Sequence, residues 1–391
     1  MEEYIKEAEN LLMHTYSRYK IVLDRGEGVY LYDTDGKKYL DFGAGIAVFA
    51  LGYGNTEYNS ALKAQIDKLL HTSNYFYNVP SIKAAARLAG ASGMDRVFFT
   101  NSGTEAIEGA IKLARKYYYK KHHTGDSQII AMNRSFHGRS MGALSVTGQP
   151  SYREAFEPLI GGVVFTDLNS IEDIKAKINE KTCAILLEPV QAEGGVYPAD
   201  EEYLKELRRL CDEKDILLIF DEIQCGMGRT GSMFAWQEYG VKPDILTAAK
   251  ALGCGVPVGA FAAVEKVCKA FEPGDHGTTY GGNPFTAAAV NAVFDQYEKL
   301  NLLHHVKEVS AYLEDRLDEL AENHKEIKER RGKGLLQGLE FEYPVKDIIL
   351  KAMDNNLILF SAGSNVLRFI PPLVITKEHV DEMIEILKKV I

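Results

Sequence analysis

The chain has 391 residues, 46% hydrophobic and 26% charged, a composition that excludes a disordered chain and allows a large core in more than one domain. The net charge of -10 gives no general electrostatic support for binding to nucleic acid. The five cysteines are odd in number and form no CxxC pair, so neither a disulfide framework nor a zinc site is expected.

The N-terminal segment, residues 1–56, is predicted to carry a short β-ribbon. Residues 1–20 are acidic and lack the apolar core of a secretory signal, and no apolar run reaches the ~18 residues of a membrane span. We therefore expect a cytoplasmic protein. In GVYLYDTDGKKYLDF (28–42), Asp35-Gly36 separates two aromatic-rich runs, which predicts a strand–turn–strand unit.

Residues 57–283 are predicted to form a large α/β domain. Helical stretches such as EEYLKELRRLCDEK (201–214) alternate with continuous apolar runs. These runs are RVFFT (96–100), QIIAM (128–132), CAILLEP (183–189), DILLIFDE (215–222) and DILTAAK (244–250). Runs that are solid rather than alternating are typical of strands buried on both faces of a parallel sheet. We expect a mostly parallel central sheet flanked by helices.

Residues 284–391 are predicted to form a smaller α+β domain, joined by the N-terminal segment. A long helical stretch, PFTAAAVNAVFDQYEKL, begins at Pro284. Three predicted strands follow it, in GLLQGLEFE (334–342), LILFSAG (357–363) and VLRFIPP (366–372). The closing helix carries one apolar stripe, formed by Val380, Met383, Ile384, Leu387 and Ile391.

Polar residues close several of the apolar runs of the large domain. In open parallel sheets, ligands bind beyond the carboxyl ends of the strands. After RVFFT, Ser102 and Glu105 have the spacing of a capping box at a helix start. Gly103 would let an anion approach the free backbone N–H groups, and the Thr104 hydroxyl would add a donor. This turn is interpreted as a phosphate cup without the P-loop spacing; the alternative is a plain capped helix.

Glu188, Asp221 and Lys250 close three other runs. A carboxylate at one strand end can keep a heterocyclic nitrogen protonated, and a lysine at a neighbouring end can form a Schiff base. With the phosphate cup, Asp221 and Lys250 match the requirements of pyridoxal 5'-phosphate for an imine partner, a pyridinium partner and a phosphate anchor. The alternative is a Lys–Asp ion pair at the sheet edge.

Six segments of the chain together resemble one known family. They are NSGTEA (101–106), SFHGRS (135–140), LEPVQAEGG (187–195), FDEIQCGMGRTG (220–231), AAKALG (248–253) and HGTTYGGNP (276–284). In this order they are similar to the class III, fold-type I aminotransferases that depend on pyridoxal phosphate, and most to the members that act on acetylornithine. The resemblance covers essentially the whole chain and implies the same two-domain fold.

The resemblance implies a role for each residue around the cofactor. Lys250 is expected to be the Schiff-base lysine, Asp221 the pyridinium partner, Gln224 the neighbour of the phenolic oxygen and Phe136 the ring stacked on the pyridine. Gly103 and Thr104 are expected to hold the phosphate, completed by Thr279 of the partner subunit, so a homodimer with shared active sites is implied. The remaining candidate cofactor residues are Ser102 and Glu188.

The resemblance also implies the substrate residues. Arg139, with Thr278 nearby, matches the position that binds the α-carboxylate of acetylornithine. Arg368 matches the arginine that binds the α-carboxylate of glutamate, and Glu193 the carboxylate that pairs with it when the other donor is bound. Tyr16 lies where ornithine δ-aminotransferases carry a substrate-contacting tyrosine, although acetylornithine enzymes show a tyrosine there too.

The expected reaction is a ping-pong transfer from N2-acetyl-L-ornithine to 2-oxoglutarate, giving N-acetyl-L-glutamate 5-semialdehyde and L-glutamate, as in arginine synthesis. Within the family, the alternatives are an ornithine δ-aminotransferase and a transaminase for succinylornithine, 4-aminobutyrate or another ω-amino acid. Outside it, the alternatives are a pyridoxal phosphate-dependent aminomutase or decarboxylase, and a non-catalytic protein that binds the cofactor.

Overall fold

The computed structural model describes residues 1–391, which form fifteen α-helices and seventeen β-strands. The helices are α1 (Glu2–Leu11), α2 (Ala44–Ala47), α3 (Thr56–Ile66), α4 (Val79–Ser92), α5 (Gly103–His122), α6 (Met141–Ser145), α7 (Pro150–Arg153), α8 (Ile171–Lys177), α9 (Glu201–Lys214), α10 (Trp236–Tyr239), α11 (Glu265–Cys268), α12 (Pro284–Lys299), α13 (Leu302–Asn323), α14 (Lys346–Asp354) and α15 (Lys377–Val390). None of these helices combines the length and the apolar character needed to cross a membrane.

The strands form four sheets. They are β1 (Leu23–Glu27), β2 (Tyr30–Asp33), β3 (Lys38–Asp41), β4 (Arg96–Thr100), β5 (Gln128–Met132), β6 (Val163–Thr166), β7 (Thr182–Leu187), β8 (Val190–Gln191), β9 (Tyr197–Pro198), β10 (Leu217–Asp221), β11 (Ile245–Ala248), β12 (Gly259–Ala263), β13 (Ile327–Lys333), β14 (Leu336–Phe341), β15 (Leu357–Ile358), β16 (Phe360–Ala362) and β17 (Val366–Phe369).

The central sheet has seven strands in the order β4-β12-β11-β10-β7-β5-β6. Strands β6, β5, β7, β10 and β11 pair in parallel, while β12 is antiparallel to both β11 and β4. Every residue of β7, β10 and β11 is buried, because helices cover both faces of the sheet. The predicted α/β fold with a mostly parallel central sheet is thus confirmed.

Strand β12 was not among the predicted strands, because its sequence GAFAA lacks the β-branched residues that mark a strand. Its small residues are required by close packing. A Cβ atom at Gly259 would lie 2.3 Å from the carbonyl oxygen of Ser102, and the ring of Phe261 lies against Gly109 of α5. Strand β12 therefore supports the turn at which α5 begins.

The N-terminal ribbon pairs with the C-terminal part of the chain. Strands β1, β2 and β3 form an antiparallel ribbon, and β15 pairs in parallel with β3, with Leu357 opposite Leu40. A second small sheet has the order β13-β14-β17-β16. The helix predicted at Pro284 is present as α12 and packs against α3 and α4. The division at residues 56 and 283 remains a prediction, since α12 shares a core with the elements before it.

Candidate active site

A cavity of about 450 Å³ lies at the carboxyl ends of the central strands. Strands β4, β7, β10 and β11 end at its wall, as expected for a sheet of this type. The predicted residues that line the cavity are Ser102, Gly103, Thr104, Phe136, Arg139, Glu188, Asp221, Gln224 and Lys250. Residues separated by up to 148 positions, from Ser102 to Lys250, thus share one cavity.

Lys250 follows β11 in an unusual backbone conformation. Its φ angle is +48°, in the left-handed region that a side chain with a Cβ seldom adopts. Strain of this kind persists where the surrounding structure fixes a functional residue. The ion-pair partner of Asp221 is His137, at 2.7 Å, and not Lys250, so the alternative of an Asp221–Lys250 ion pair does not hold.

Burial lowers the pKa of the Lys250 amine to about 8, an effect that Glu193 opposes and Arg368 reinforces. About a tenth of the amines are therefore unprotonated at pH 7 and about half at pH 8. A neutral amine is the form that attacks a carbonyl carbon. Near neutral pH, Lys250 is a usable nucleophile, which an exposed lysine is not.

This pKa predicts how the apoprotein combines with pyridoxal phosphate as the pH changes. The rate should rise from pH 7 and level off near pH 9, because the neutral amine becomes the major form between these values. Stopped-flow absorbance measures this rate, with free N-acetyl-lysine as the control, whose rate should still be rising at pH 9. In Glu193→Gln, the midpoint should move to lower pH, because Glu193 raises the pKa. A wild-type midpoint above pH 9.5 would contradict the burial of the amine.

Asp221, at the end of β10, is held by three donors. Its Oδ1 accepts the N–H of Ile223 at 3.0 Å and the hydroxyl of Thr247 at 3.1 Å, and its Oδ2 lies 2.7 Å from Nδ1 of His137. Nε2 of His137 has no partner, so the ring proton lies on Nδ1 and is donated to Asp221. Asp221 is thereby fixed as an acceptor at the base of the cavity, 4% exposed.

His137 was not among the predicted site residues. It lies in SFHGRS between Phe136 and Arg139, and this position was the signal that could have identified it. By residue type alone, a histidine that orients a buried carboxylate cannot be distinguished from an ordinary core histidine. The separation of 84 positions between His137 and Asp221 is closed only by the fold.

The start of α5 offers unpaired backbone donors. The N–H groups of Ser102, Gly103 and Thr104 bond to no acceptor in the protein, whereas the N–H of Glu105 is capped by the Ser102 hydroxyl at 3.4 Å. A Cβ atom at Gly103 would lie 2.9 Å from the Ile223 side chain, so a larger residue here would require that side chain to move. Free N–H groups at the positive end of a 20-residue helix suit a phosphate.

Glu188 lies in the wall of the same cavity. Burial raises its pKa to about 7, although the nearby His137 lowers it. Its Oε2 accepts the backbone N–H of Phe136 at 3.1 Å, which fixes the segment that carries the Phe136 ring. Glu188 therefore anchors the predicted stacking residue.

Arg368, on β17, is paired with Glu193. Its Nη1 donates to Oε1 of Glu193 at 2.6 Å and to Oε1 of Gln224 at 3.0 Å, while Nε2 of Gln224 donates to Glu193 at 3.2 Å. Burial raises the pKa of Glu193, but the charges of Arg368 and Lys250 outweigh it and lower the pKa overall. The three side chains form one network, hereafter the gate network.

Arg139 has no carboxylate partner. Its guanidinium lies 3.9 Å from the ring centroid of Tyr152 and 5.6 Å from that of Phe136. The Tyr152 and Phe136 rings meet edge to face, with their centroids 6.1 Å apart. Tyr152 was not predicted as a site residue, yet it supports an arginine whose donors are free for a ligand.

Besides Glu193 and Arg368, which contact Gln224 in the cavity wall, three other predicted residues lie outside that wall. Tyr16 is 75% exposed and lines a different cavity beside α1. Thr278 reaches the site indirectly, since its hydroxyl accepts from Asn101, which lines the cavity, at 3.3 Å. Thr279 is exposed and makes no side-chain hydrogen bond within its own chain. The roles of these residues stay predictions.

The cavity fits pyridoxal 5'-phosphate by the chemistry of its wall. It combines an amine of lowered pKa, a buried acceptor carboxylate, an aromatic ring and a set of unpaired backbone N–H groups. These correspond to the aldehyde, the ring nitrogen, the ring face and the phosphate of the cofactor. The cofactor phosphate is sufficient to pair with these N–H donors, so no second ligand is needed to explain them.

Comparisons with known proteins agree with this chemistry. The family model described as Aminotransferase class-III matches residues 12–391. The chain is 49% identical to the acetylornithine aminotransferase of Clostridium acetobutylicum, covering 98% of this chain and 99% of that protein, and 47% identical to that of Methanocaldococcus jannaschii, covering 100% and 98%.

Solved structures of the same kind superpose over nearly the whole chain. The ornithine aminotransferase of Toxoplasma gondii matches with a TM-score of 0.95 at 32% identity, covering 99% of this chain and 94% of that one. The acetylornithine aminotransferase of Elizabethkingia anophelis matches with a TM-score of 0.89 at 32% identity, covering 100% and 98%.

Proposed function

Because this chain belongs to the class-III aminotransferases, we propose that it transfers the terminal amino group of N2-acetyl-L-ornithine to 2-oxoglutarate, giving N-acetyl-L-glutamate 5-semialdehyde and L-glutamate. The protein is a pyridoxal phosphate-dependent aminotransferase. When bound, the cofactor supplies an aldehyde that combines with amines and a ring that withdraws electrons from the reacting carbon.

Different residues of the protein have separate roles around the bound cofactor. The neutral amine of Lys250 takes a proton from the donor carbon and returns it, for which a pKa near the working pH is suited. Asp221 is placed to stabilise a positive charge on the ring nitrogen, because its three hydrogen-bond partners fix the orientation of its carboxylate in the buried site. The N–H groups at the start of α5 hold the phosphate, and the Phe136 ring covers one face of the cavity.

The observation that carries the proposal is the contrast between the two arginines of the site. Arg139 has free donors, whereas Arg368 is paired with Glu193 at 2.6 Å. Acetylornithine has one carboxylate, which Arg139 can bind as a bidentate pair. Glutamate has two, so it needs both arginines. A site that accepts both donors must therefore present Arg368 in one half of the reaction and neutralise it in the other.

The exposures of the gate network suit such a switch. The Glu193 side chain is 25% exposed and the Arg368 side chain 3% exposed. A buried guanidinium without a partner is costly, so Glu193 stabilises Arg368 while acetylornithine is bound. When glutamate enters, Glu193 can swing into solvent and Arg368 stays in place. Gln224 keeps its 3.0 Å contact with Arg368 and so maintains the orientation of the guanidinium.

Steady-state rates on a panel of amino donors test the proposal. We expect acetylornithine to have a kcat/KM at least about tenfold above those of succinylornithine, ornithine and 4-aminobutyrate, with one glutamate formed for each 2-oxoglutarate consumed. A preference for ornithine would favour the activity in the name of the Toxoplasma gondii protein instead. Release of carbon dioxide without glutamate would indicate a decarboxylase, and no turnover a binding protein.

We also propose that the protein is a homodimer in which Thr279 of the partner subunit completes each phosphate site. The exposed run Tyr75, Phe76 and Tyr77, at 96%, 70% and 97%, supports this proposal, because monomers seldom present such patches to water. Asn74, next to the run, donates to the carbonyl oxygens of Thr278 and Gly281 at 3.2 and 3.0 Å. The patch is thus tied to the loop that would cross to the partner. A monomer in sedimentation velocity would refute the proposal.

A cytoplasmic location is proposed as well. All five cysteines are unpaired, which is typical of proteins from reducing compartments. Fractionation of the source cells, with recovery of the enzyme outside the cytosolic fraction, would overturn this assignment.

A further inference from the structure

Two hydroxyl groups and a carboxylate form a short chain beside the cavity. Oγ1 of Thr104 lies 2.7 Å from Oγ of Ser140, and Oγ of Ser140 lies 2.6 Å from Oε1 of Glu108. The backbone N–H of Ser140 also donates to Oγ1 of Thr104, at 3.2 Å. The chain links α5, which carries the phosphate turn, to the segment of Arg139.

The direction of each proton in this chain follows from the donors around Glu108. Its Oε1 accepts the N–H groups of Gly142 at 2.9 Å and Ala143 at 3.1 Å, so this oxygen is an acceptor and carries no proton. The Ser140 hydroxyl therefore donates to Glu108. Because a hydroxyl has one proton, the 2.7 Å contact can be made only by the Thr104 hydroxyl donating to Ser140.

The Thr104 hydroxyl consequently has no proton left for a phosphate. If it turned its proton towards a ligand, two oxygen lone pairs would face each other at the Ser140 contact, and that hydrogen bond would be lost. The unpaired backbone N–H groups of Ser102, Gly103 and Thr104 have no such conflict. This differs from the expectation that the Thr104 hydroxyl adds a donor to the phosphate cup.

Close packing presses the Arg139 segment onto the same side chains. A Cβ atom at Gly138 would lie 2.3 Å from Oγ1 of Thr104, and one at Gly142 would lie 2.1 Å from Oε2 of Glu108. Helix α6 begins two residues after Arg139, and its first N–H groups are capped by Glu108 rather than by its own N-cap side chain. The backbone on both sides of Arg139 is thus fixed by α5.

We propose that Thr104 and Glu108, acting through Ser140, are positioning residues for Arg139, and that the Thr104 hydroxyl is not a phosphate donor. The inference rests on the proposed function, in which Arg139 binds the carboxylate of the amino donor. It assigns Thr104 two separate parts: its backbone N–H faces the phosphate, and its side chain sets the place of an arginine on another element.

The variant Thr104→Val tests this assignment, because valine keeps the shape and the backbone N–H but cannot make either hydrogen bond. The dissociation constant of pyridoxal phosphate, from absorbance titration of the apoprotein, should stay within about twofold of the wild type. The KM for acetylornithine should rise about three- to tenfold, with a smaller change in kcat. Thr104→Ser, which keeps the hydroxyl, is the matched control and should restore the wild-type KM.

Three further variants separate the outcomes. Ser140→Ala should reproduce the change in KM, and the double variant should be no worse than either single one, since all break the same chain. A tenfold weaker affinity of Thr104→Val for the cofactor, or an unchanged KM, would overturn the proposal. Arg139→Gln distinguishes this failure from a failure of the proposed function: if it leaves the KM for acetylornithine unchanged, the assignment of Arg139 itself is wrong.

Discussion

Replacing Lys250 with alanine should lower kcat by roughly 10,000-fold and abolish the visible absorbance of a lysine-linked cofactor. The reason is that Lys250 brings the only amine to the cavity wall. No other residue there can both bond to the aldehyde and return a proton to the reacting carbon. Spectra of the purified variant with pyridoxal phosphate and single-turnover rates with the amino donor measure the two effects separately.

Two controls show whether the loss belongs to the amine. Added methylamine should restore part of the single-turnover rate in Lys250→Ala, since it supplies a diffusible base in the space that the side chain leaves. Lys250→Arg should not recover turnover, because a guanidinium stays protonated and is a poor nucleophile. If Lys250→Ala kept both its absorbance and its turnover, another lysine would have to carry the cofactor.

The second large effect is expected for Asp221→Asn, with kcat lowered at least about 100-fold. An amide cannot hold a positive charge on the ring nitrogen as a carboxylate does. It also disturbs the surroundings: if its oxygen keeps the bonds from Ile223 and Thr247, its NH₂ faces the Nδ1–H of His137. The histidine proton would then have to move to Nε2, which has no partner.

The charge argument has a direct test. An N-methylated pyridoxal phosphate carries a permanent positive charge on its ring nitrogen, so it should raise the activity of Asp221→Asn relative to the natural cofactor. Thr247→Val, which removes one of the three donors to Asp221, is the matched control and should cost less than about tenfold. If Asp221→Asn lost less activity than Thr247→Val, the carboxylate charge would have no role in the reaction.

The sequence predicted those site residues whose signals lie within a few consecutive positions of the chain. Apolar runs marked the strands, and the charged residue that closes each run marked Glu188, Asp221 and Lys250, because strand ends meet at one edge of a parallel sheet. The capping spacing marked the start of α5 in the same way. These signals need only a few consecutive residues to be read.

What the sequence could not provide are contacts made across the fold by ordinary side chains. In the sequence, Glu108 looks like any helical glutamate and Tyr152 like any aromatic residue, and only the structure shows their contacts with Ser140 and Arg139. The bonds of Gln224 to both members of the Arg368–Glu193 pair depend on the distance between two sheets. Strand β12 was missed because packing against α5, and not strand propensity, selects its small residues.

The pairing of β15 with β3 has a consequence for how the protein folds while it is being synthesised. Strands β1 to β3 leave the ribosome early, but Leu40 meets Leu357 only after nearly the whole chain has been made. Until then the edge of β3 is an open template for other chains, and such late, distant pairing is slow. The large domain can begin to fold during translation, whereas the sheet that contains β3 and β15 can be completed only when translation is nearly finished. We therefore expect a growing chain stalled before residue 357 to aggregate more readily than the complete chain.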